Sequence, residues 1–172
     1  MEDASTRDES ILTKSQIQLK RRLALYTRSR RLISQNGFCL EMLENGRVQG
    51  TEDKFSPFAV LNVLSIGENM LTIWGAKAEA YLAVDHQGNV FTTKTEGHQC
   101  VFMELFTKDF FNIYGSFKSV SEGRPKCLHI LGDGSPVTKD FFGLPDSSCQ
   151  FFWDLPTISV KQARFSSVYK KK

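Results

Sequence analysis

A chain of 172 residues has the length of one domain, and 41 % hydrophobic content with 14 Phe supplies a core that needs no staple. The net charge of +3 hides an asymmetry: residues 32–160 carry nine Lys and Arg against 15 Asp and Glu, a balance of −6, so the basic surplus lies in the flanks. This excludes a uniformly basic nucleic-acid-binding body, and no stretch approaches the ~18 apolar residues of a membrane span.

Residues 1–30 join a polar start to a basic run with scattered apolar residues, and read as a flexible arm with room for a short helix. Six of the twelve residues from Lys20 to Arg31 are basic. Lys20, Arg21 and Arg22, and the later Arg28-Ser-Arg-Arg31, suit polyanion contacts, a nuclear address or simply a solvated basic face. A domain is expected over 31–160, followed by a basic tail over 161–172 that ends in Lys170, Lys171 and Lys172.

From Leu32 the pattern changes to short apolar alternations between glycine turns. Phe38, Leu40 and Met42 precede Asn45-Gly46, and Val48 follows it. An Asn-Gly pair there predicts a hairpin whose two turn positions both need positive φ. Strands are expected next at Phe58–Ile66 and Met70–Trp74. A second hairpin runs from Tyr81–Val84 through Gln87-Gly88-Asn89 to Val90-Phe91. Further strands are expected at Cys100–Phe106 and Phe110–Tyr114, and a third hairpin joins Cys127–Leu131 to the Gly132-Asp133-Gly134 turn.

The hairpins repeat one signature, a leucine, five residues and a glycine: Leu40–Gly46, Leu82–Gly88 and Leu128–Gly134. The glycines stand 42 and 46 residues apart, a period that marks a repeated structural unit. About four strands per repeat gives twelve in three groups, which predicts an all-β fold, a β-trefoil: a closed barrel capped by hairpins, without free edges. A propeller needs about four blades or more, and a sandwich does not explain a threefold period. The third unit is the least regular, with extra residues from Gly132 to Ser148.

The chemistry of a catalyst is missing. There is no P-loop, dinucleotide fingerprint, H-E-x-x-H or G-x-S-x-G, and no catalytic residue or cofactor is expected. Cys39, Cys100, Cys127 and Cys149 form no C-x-x-C pair and no metal-ligand spacing with His86, His98 or His129, so no metal is expected either. Free, mostly buried thiols are expected, the alternative being two bridges in a secreted protein. No charged start with an apolar stretch marks a signal peptide. The expected setting is therefore cytoplasmic or nuclear, although a trimmed leader, or leaderless export to the extracellular space, would read the same.

Three segments, Gly37–Thr51, Ala80–Val84 and Gln99–Glu104, together with Asn112-Ile-Tyr114, closely resemble the fibroblast growth factors. The resemblance covers about Arg31 to Pro156. It implies a β-trefoil, in agreement with the repeats. It further implies a signalling ligand that binds a receptor tyrosine kinase through an apolar surface and heparan sulfate through a basic loop. Transferred by position, the receptor or partner surface comprises Ile33, where the family usually has Tyr, with Glu104, Phe111, Asn112, Tyr114 and Leu155. Each has an alternative reading as barrel packing, Tyr114 above all, and Phe111 and Leu155 are the favoured anchors.

The basic loop is where the chain departs from the family. Gly134 to Ser148 offers one base, Lys139, against Asp140 and Asp146, so heparan sulfate binding is expected to be weak. Lys118, Arg124 and Lys126 lie nearby as partial substitutes. Two branches of the family fit. Gly37–Thr51 and Asn112-Ile-Tyr114 favour the receptor ligand, the preferred reading. The alternative is the intracellular homologous factors, which bind the cytoplasmic tail of voltage-gated sodium channels. Arg31–Gly37, Ala76-Lys-Ala78 and the depleted loop favour this alternative, whereas Asn112 stands where it typically has an aliphatic residue.

Overall fold

The computed structural model describes residues 27–141 and 149–154. Twelve strands follow in order: β1 (Thr27–Ser34), β2 (Cys39–Met42), β3 (Val48–Thr51), β4 (Leu61–Gly67), β5 (Met70–Gly75), β6 (Ala80–Val84), β7 (Val90–Thr93), β8 (Phe102–Phe106), β9 (Asn112–Ser116), β10 (Lys126–Ile130), β11 (Pro136–Asp140) and β12 (Phe151–Asp154). A single short helix, α1 (Phe117–Ser121), and 3-10 turns at Pro57–Ala59 and His98–Cys100 complete the described elements.

All pairings are antiparallel. Strands β1, β4, β5, β8, β9 and β12 pair into a closed ring of six. The other six form three hairpins, with β2–β3 attached to β1, β6–β7 to β5 and β10–β11 to β9. This is the β-trefoil that the period predicts.

Some element boundaries differ from the expected ones for local reasons. The barrel takes in Thr27–Arg30, assigned by sequence to the arm, because these residues pair with Leu64–Leu61 of β4. The expected strand at Phe58 begins only at Leu61, since Ser56 caps a 3-10 turn by accepting from Phe58 N and Pro57 opens that turn. Likewise, residues 98–100 and 107–111 turn before β8 and β9 begin.

The three repeated turns share one hydrogen-bond scheme. Leu43 N donates to Arg47 O (2.8 Å) and Gly46 N to Leu43 O (2.9 Å); Asp85, Gly88 and Asn89 repeat the pattern, as do Leu131, Gly134 and Ser135. Gly46, Gly88 and Gly134 lie at φ +87°, +88° and +86°, where a side chain would be strained. This corrects the expected Asn-Gly turn. Only the glycine has positive φ, in a three-residue loop closed by a left-handed residue, and Asn45 instead accepts from Arg47 N through its side chain at 3.0 Å.

Each turn is also held by the next repeat. Thr92 Oγ1 donates to Gly46 O at 2.9 Å and Thr138 Oγ1 to Gly88 O at 2.6 Å. Gly50 occupies the equivalent position in the first repeat, and there the backbone N–H donates to Gly134 O at 2.7 Å. A Cβ on Gly50 would lie 2.9 Å from Ile130 Cγ2 and 3.1 Å from Gly134 O, so glycine allows the close approach that the threonines achieve with a side chain.

The core follows the same symmetry. Leu40, Leu82 and Leu128, with Met42, Val84 and Ile130, are buried together with Leu61, Ile73 and Phe102. Burying each such side chain contributes about 1.5–3 kcal/mol. The third repeat carries a correction to the thiol expectation: Cys127 on β10 is disulfide-bonded to Cys149, 22 residues on. Cys39 and Cys100 remain free and buried, and burial raises the pKa of both thiols.

Candidate partner-binding face

Four of the six expected partner residues come together on the β8–β9 hairpin. Glu104 on β8 faces Tyr114 on β9 in the register, and Tyr114 Oη donates to Glu104 Oε2 at 2.8 Å. Tyr114 is 0 % exposed and packs edge-on against Trp153 of β12 at 5.8 Å. Burial pushes its hydroxyl far above the ordinary tyrosine range, and the Glu104 charge adds to the rise, so the group stays a donor. Asn112 is 4 % exposed, and its buried Oδ1 has no hydrogen-bond partner among the described residues. Phe111 is half-buried, its N–H donating to Thr107 Oγ1 at 3.1 Å.

The other two expected residues lie elsewhere. Ile33 on β1 pairs in register with Phe152 of β12, but its side chain is 3 % exposed and packs with Cys39 and Ala59. Leu155 lies outside the described residues.

A cavity of about 700 Å³ opens beside this hairpin, lined by Arg28, Arg30, Met70, Glu104, Phe106 and Trp153 among others. Sequence reasoning missed the two most exposed large apolar residues of this hairpin, of which Phe106 lines the cavity. Phe106 is 70 % exposed and Phe110 is 89 % exposed. Phe110 also lies at φ +65°, rare for a bulky residue. Its turn repeats the scheme of the three glycine turns: Thr107 N donates to Phe111 O at 2.9 Å and Phe110 N to Thr107 O at 3.1 Å. The Ser34–Phe38 turn is built in the same way, with Gly37 at φ +91°. Five turns thus share one geometry, and Phe110 is the residue that breaks their glycine rule.

The expected polyanion residues are divided. Lys118, Arg124 and Lys126 line a second concavity of about 420 Å³, but Asp85, Glu122 and Asp140 line it with them. Lys126 Nζ is paired with Asp140 Oδ1 at 2.9 Å. Lys139 projects from β11, exposed, and Lys20, Arg21 and Arg22 lie outside the described residues. Of the neighbouring basic run, Arg31 is a barrel residue, 2 % exposed, with Nη1 donating to Ser56 O at 2.8 Å. It is not available to a polyanion.

A six-strand barrel closed by three interlocked hairpins defines the class, a β-trefoil with apolar surface gathered on its β8–β9 hairpin. The family model for fibroblast growth factor matches residues 28–138, and the chain belongs to that family. It is 28 % identical to mouse fibroblast growth factor 10 over 109 residues, 63 % of this chain and 52 % of that protein. It is 26 % identical to sheep fibroblast growth factor 7 over 110 residues, 64 % of this chain and 57 % of that protein. The chain spans about half the length of these relatives. Among the described residues, no helix is long and apolar enough to cross a membrane.

Proposed function

We propose that the protein is a growth-factor signalling ligand that engages a receptor tyrosine kinase of the fibroblast growth factor receptor class through the face built by β8, β9, β1 and β12. It acts in an oxidising, extracellular setting. Family membership leaves two branches open, the receptor ligand and the intracellular channel-binding homologue, and the Cys127–Cys149 disulfide carries the choice between them. Disulfides persist outside the cell and are rare in the reducing cytosol, so a bridge within the core of the third repeat favours export.

Sulfated glycans are bound weakly at most in this reading. Each sulfate contact needs an available cation, whereas the concavity holding Lys118, Arg124 and Lys126 matches its three cations with three carboxylates.

Capture of the purified chain on two immobilised baits tests the reading: a receptor ectodomain with heparin, and a sodium-channel cytoplasmic tail. Receptor capture under non-reducing conditions, weakened by Asn112→Ala, is expected. Capture by the channel tail alone would overturn the proposal and place the protein inside the cell.

A further inference from the structure

We propose that Phe110 is an anchor residue that enters an apolar pocket on the protein partner, a pocket whose rim presents carboxylates to Arg28 and Arg30. The inference rests on the receptor-ligand reading and deepens it by naming a contact that the family resemblance does not supply.

The backbone singles out this residue. In four of five turns with the same hydrogen-bond scheme, the left-handed position is glycine: Gly37, Gly46, Gly88 and Gly134. In the fifth it is Phe110, at φ +65°. A bulky side chain there is strained, and strain of this kind persists only where the surroundings hold it. Two observations show that they do. Thr107 accepts the N–H of Phe111 through its hydroxyl, and β8 and β9 are in continuous register on the barrel side, from Phe106↔Asn112 to Phe102↔Ser116.

These contacts hold the backbone, but among the described residues no packing of the ring itself offsets the strain. At 89 % exposure the ring is not packed against the barrel, so neither local propensity nor core burial explains a phenylalanine at this position. A partner that buries the ring does explain it. Aromatic residues on a rigid turn are strong interface anchors because few torsions must be frozen when they bind.

The surroundings define the partner's chemistry. Phe106, at the base of the same turn, is 70 % exposed and lines the cavity that Arg28 and Arg30 also line. The acid on that wall, Glu104, is engaged by Tyr114. Two arginines face that one carboxylate, whose charge the neutral phenol does not cancel, so the face is apolar with a net positive rim, which complements an apolar socket bordered by carboxylates. Lys108 and Asp109, both exposed and directly before Phe110, cancel in charge, so the turn itself offers no cationic cluster of the kind that draws a protein to an anionic lipid surface.

Phe110→Gly tests this, because it removes the ring and the strain together. The expected result is an unfolding midpoint equal to or above that of the wild type, with at least tenfold weaker capture by the receptor ectodomain that captures the wild type. Arg28→Glu is expected to weaken the same capture. Wild-type affinity in Phe110→Gly would overturn the anchor while leaving the receptor reading intact. Failure of every receptor ectodomain to capture the wild type would overturn both. A lowered unfolding midpoint would show that Phe110 is structural and overturn the anchor. So would unchanged receptor capture accompanied by loss of binding to phosphatidylserine vesicles, since the ring would then meet lipid.

Discussion

Gly50→Ala tests whether the ring of hairpin turns stabilises the fold. The new methyl would sit 2.9 Å from Ile130 Cγ2, 3.0 Å from Phe38 Cβ and 3.1 Å from Gly134 O. A Cβ and a backbone oxygen cannot rotate away, so the hairpins must separate. Overpacking of this kind costs about 1–3 kcal/mol, and weakening the 2.7 Å bond from Gly50 N to Gly134 O adds about 1 kcal/mol. The smaller unfolded-state entropy of alanine returns about 0.4–1 kcal/mol. The net loss should be about 1–3.5 kcal/mol, and at this chain length the melting temperature should fall by about 2–14 °C. Thermal and urea unfolding followed by circular dichroism would measure it. Gly97→Ala is the internal control, since Gly97 is extended and nothing lies within 4 Å of its Cβ position; it should be neutral or slightly stabilising. A Gly50→Ala variant within about 0.5 kcal/mol of wild type, the usual range of a featureless surface change, would refute the reasoning.

Reducing the Cys127–Cys149 bridge, which closes a 22-residue separation, should lower stability by about 3 kcal/mol on loop-closure grounds. Urea titrations with and without dithiothreitol would show this, and an unchanged midpoint with four titratable thiols would remove the bridge from the account. Tyr114→Phe deletes the hydroxyl that Glu104 accepts and should cost about 1–2 kcal/mol, read as a shift of the urea midpoint at constant slope. Asp85 accepts the N–H of Asn89 and of Gln87 in its turn, which holds its carboxyl below the ordinary range, the Asn89 backbone contributing most. Because the folded-state value is the lower one, the stabilisation is present above the unfolded-state value of about 4 and is lost as pH falls below it. The gap in urea midpoint between wild type and Asp85→Ala should therefore close in acid, and a gap that widened would reverse the assignment.

How much of this was legible in the sequence depended on whether a residue's role was local. Gly46, Gly88 and Gly134 announced themselves because a left-handed turn position restricts residue type, and the leucine six residues before each reported a core layer by the same periodic logic. The bridge between Cys127 and Cys149 had no such signal: the pairing depends on where β10 and the residues before β12 meet in space. Arg31 read as part of a solvated basic run and is buried in the barrel, because β1 begins earlier than charge patterning implied. Phe110 was hidden for the opposite reason. Its turn has the spacing of the glycine turns but carries phenylalanine where they carry glycine, and the family resemblance pointed to Phe111 beside it instead. Asn112 was named for a partner role, and its buried oxygen, unpartnered among the described residues, became visible only with the strands in place.

The interlocked turns also bear on how the chain acquires its shape. The link between Gly50 N and Gly134 O joins residues 84 positions apart, whereas the other two links each span about half that distance. Contacts so distant in sequence must be paid for in chain entropy before they return stability, which slows folding. During synthesis the first two repeats can dock on each other, but their ring stays open until the third turn emerges. A nascent or truncated chain that ends before Gly134 therefore exposes an unclosed seam, and the barrel should gain its cooperativity in a single late step.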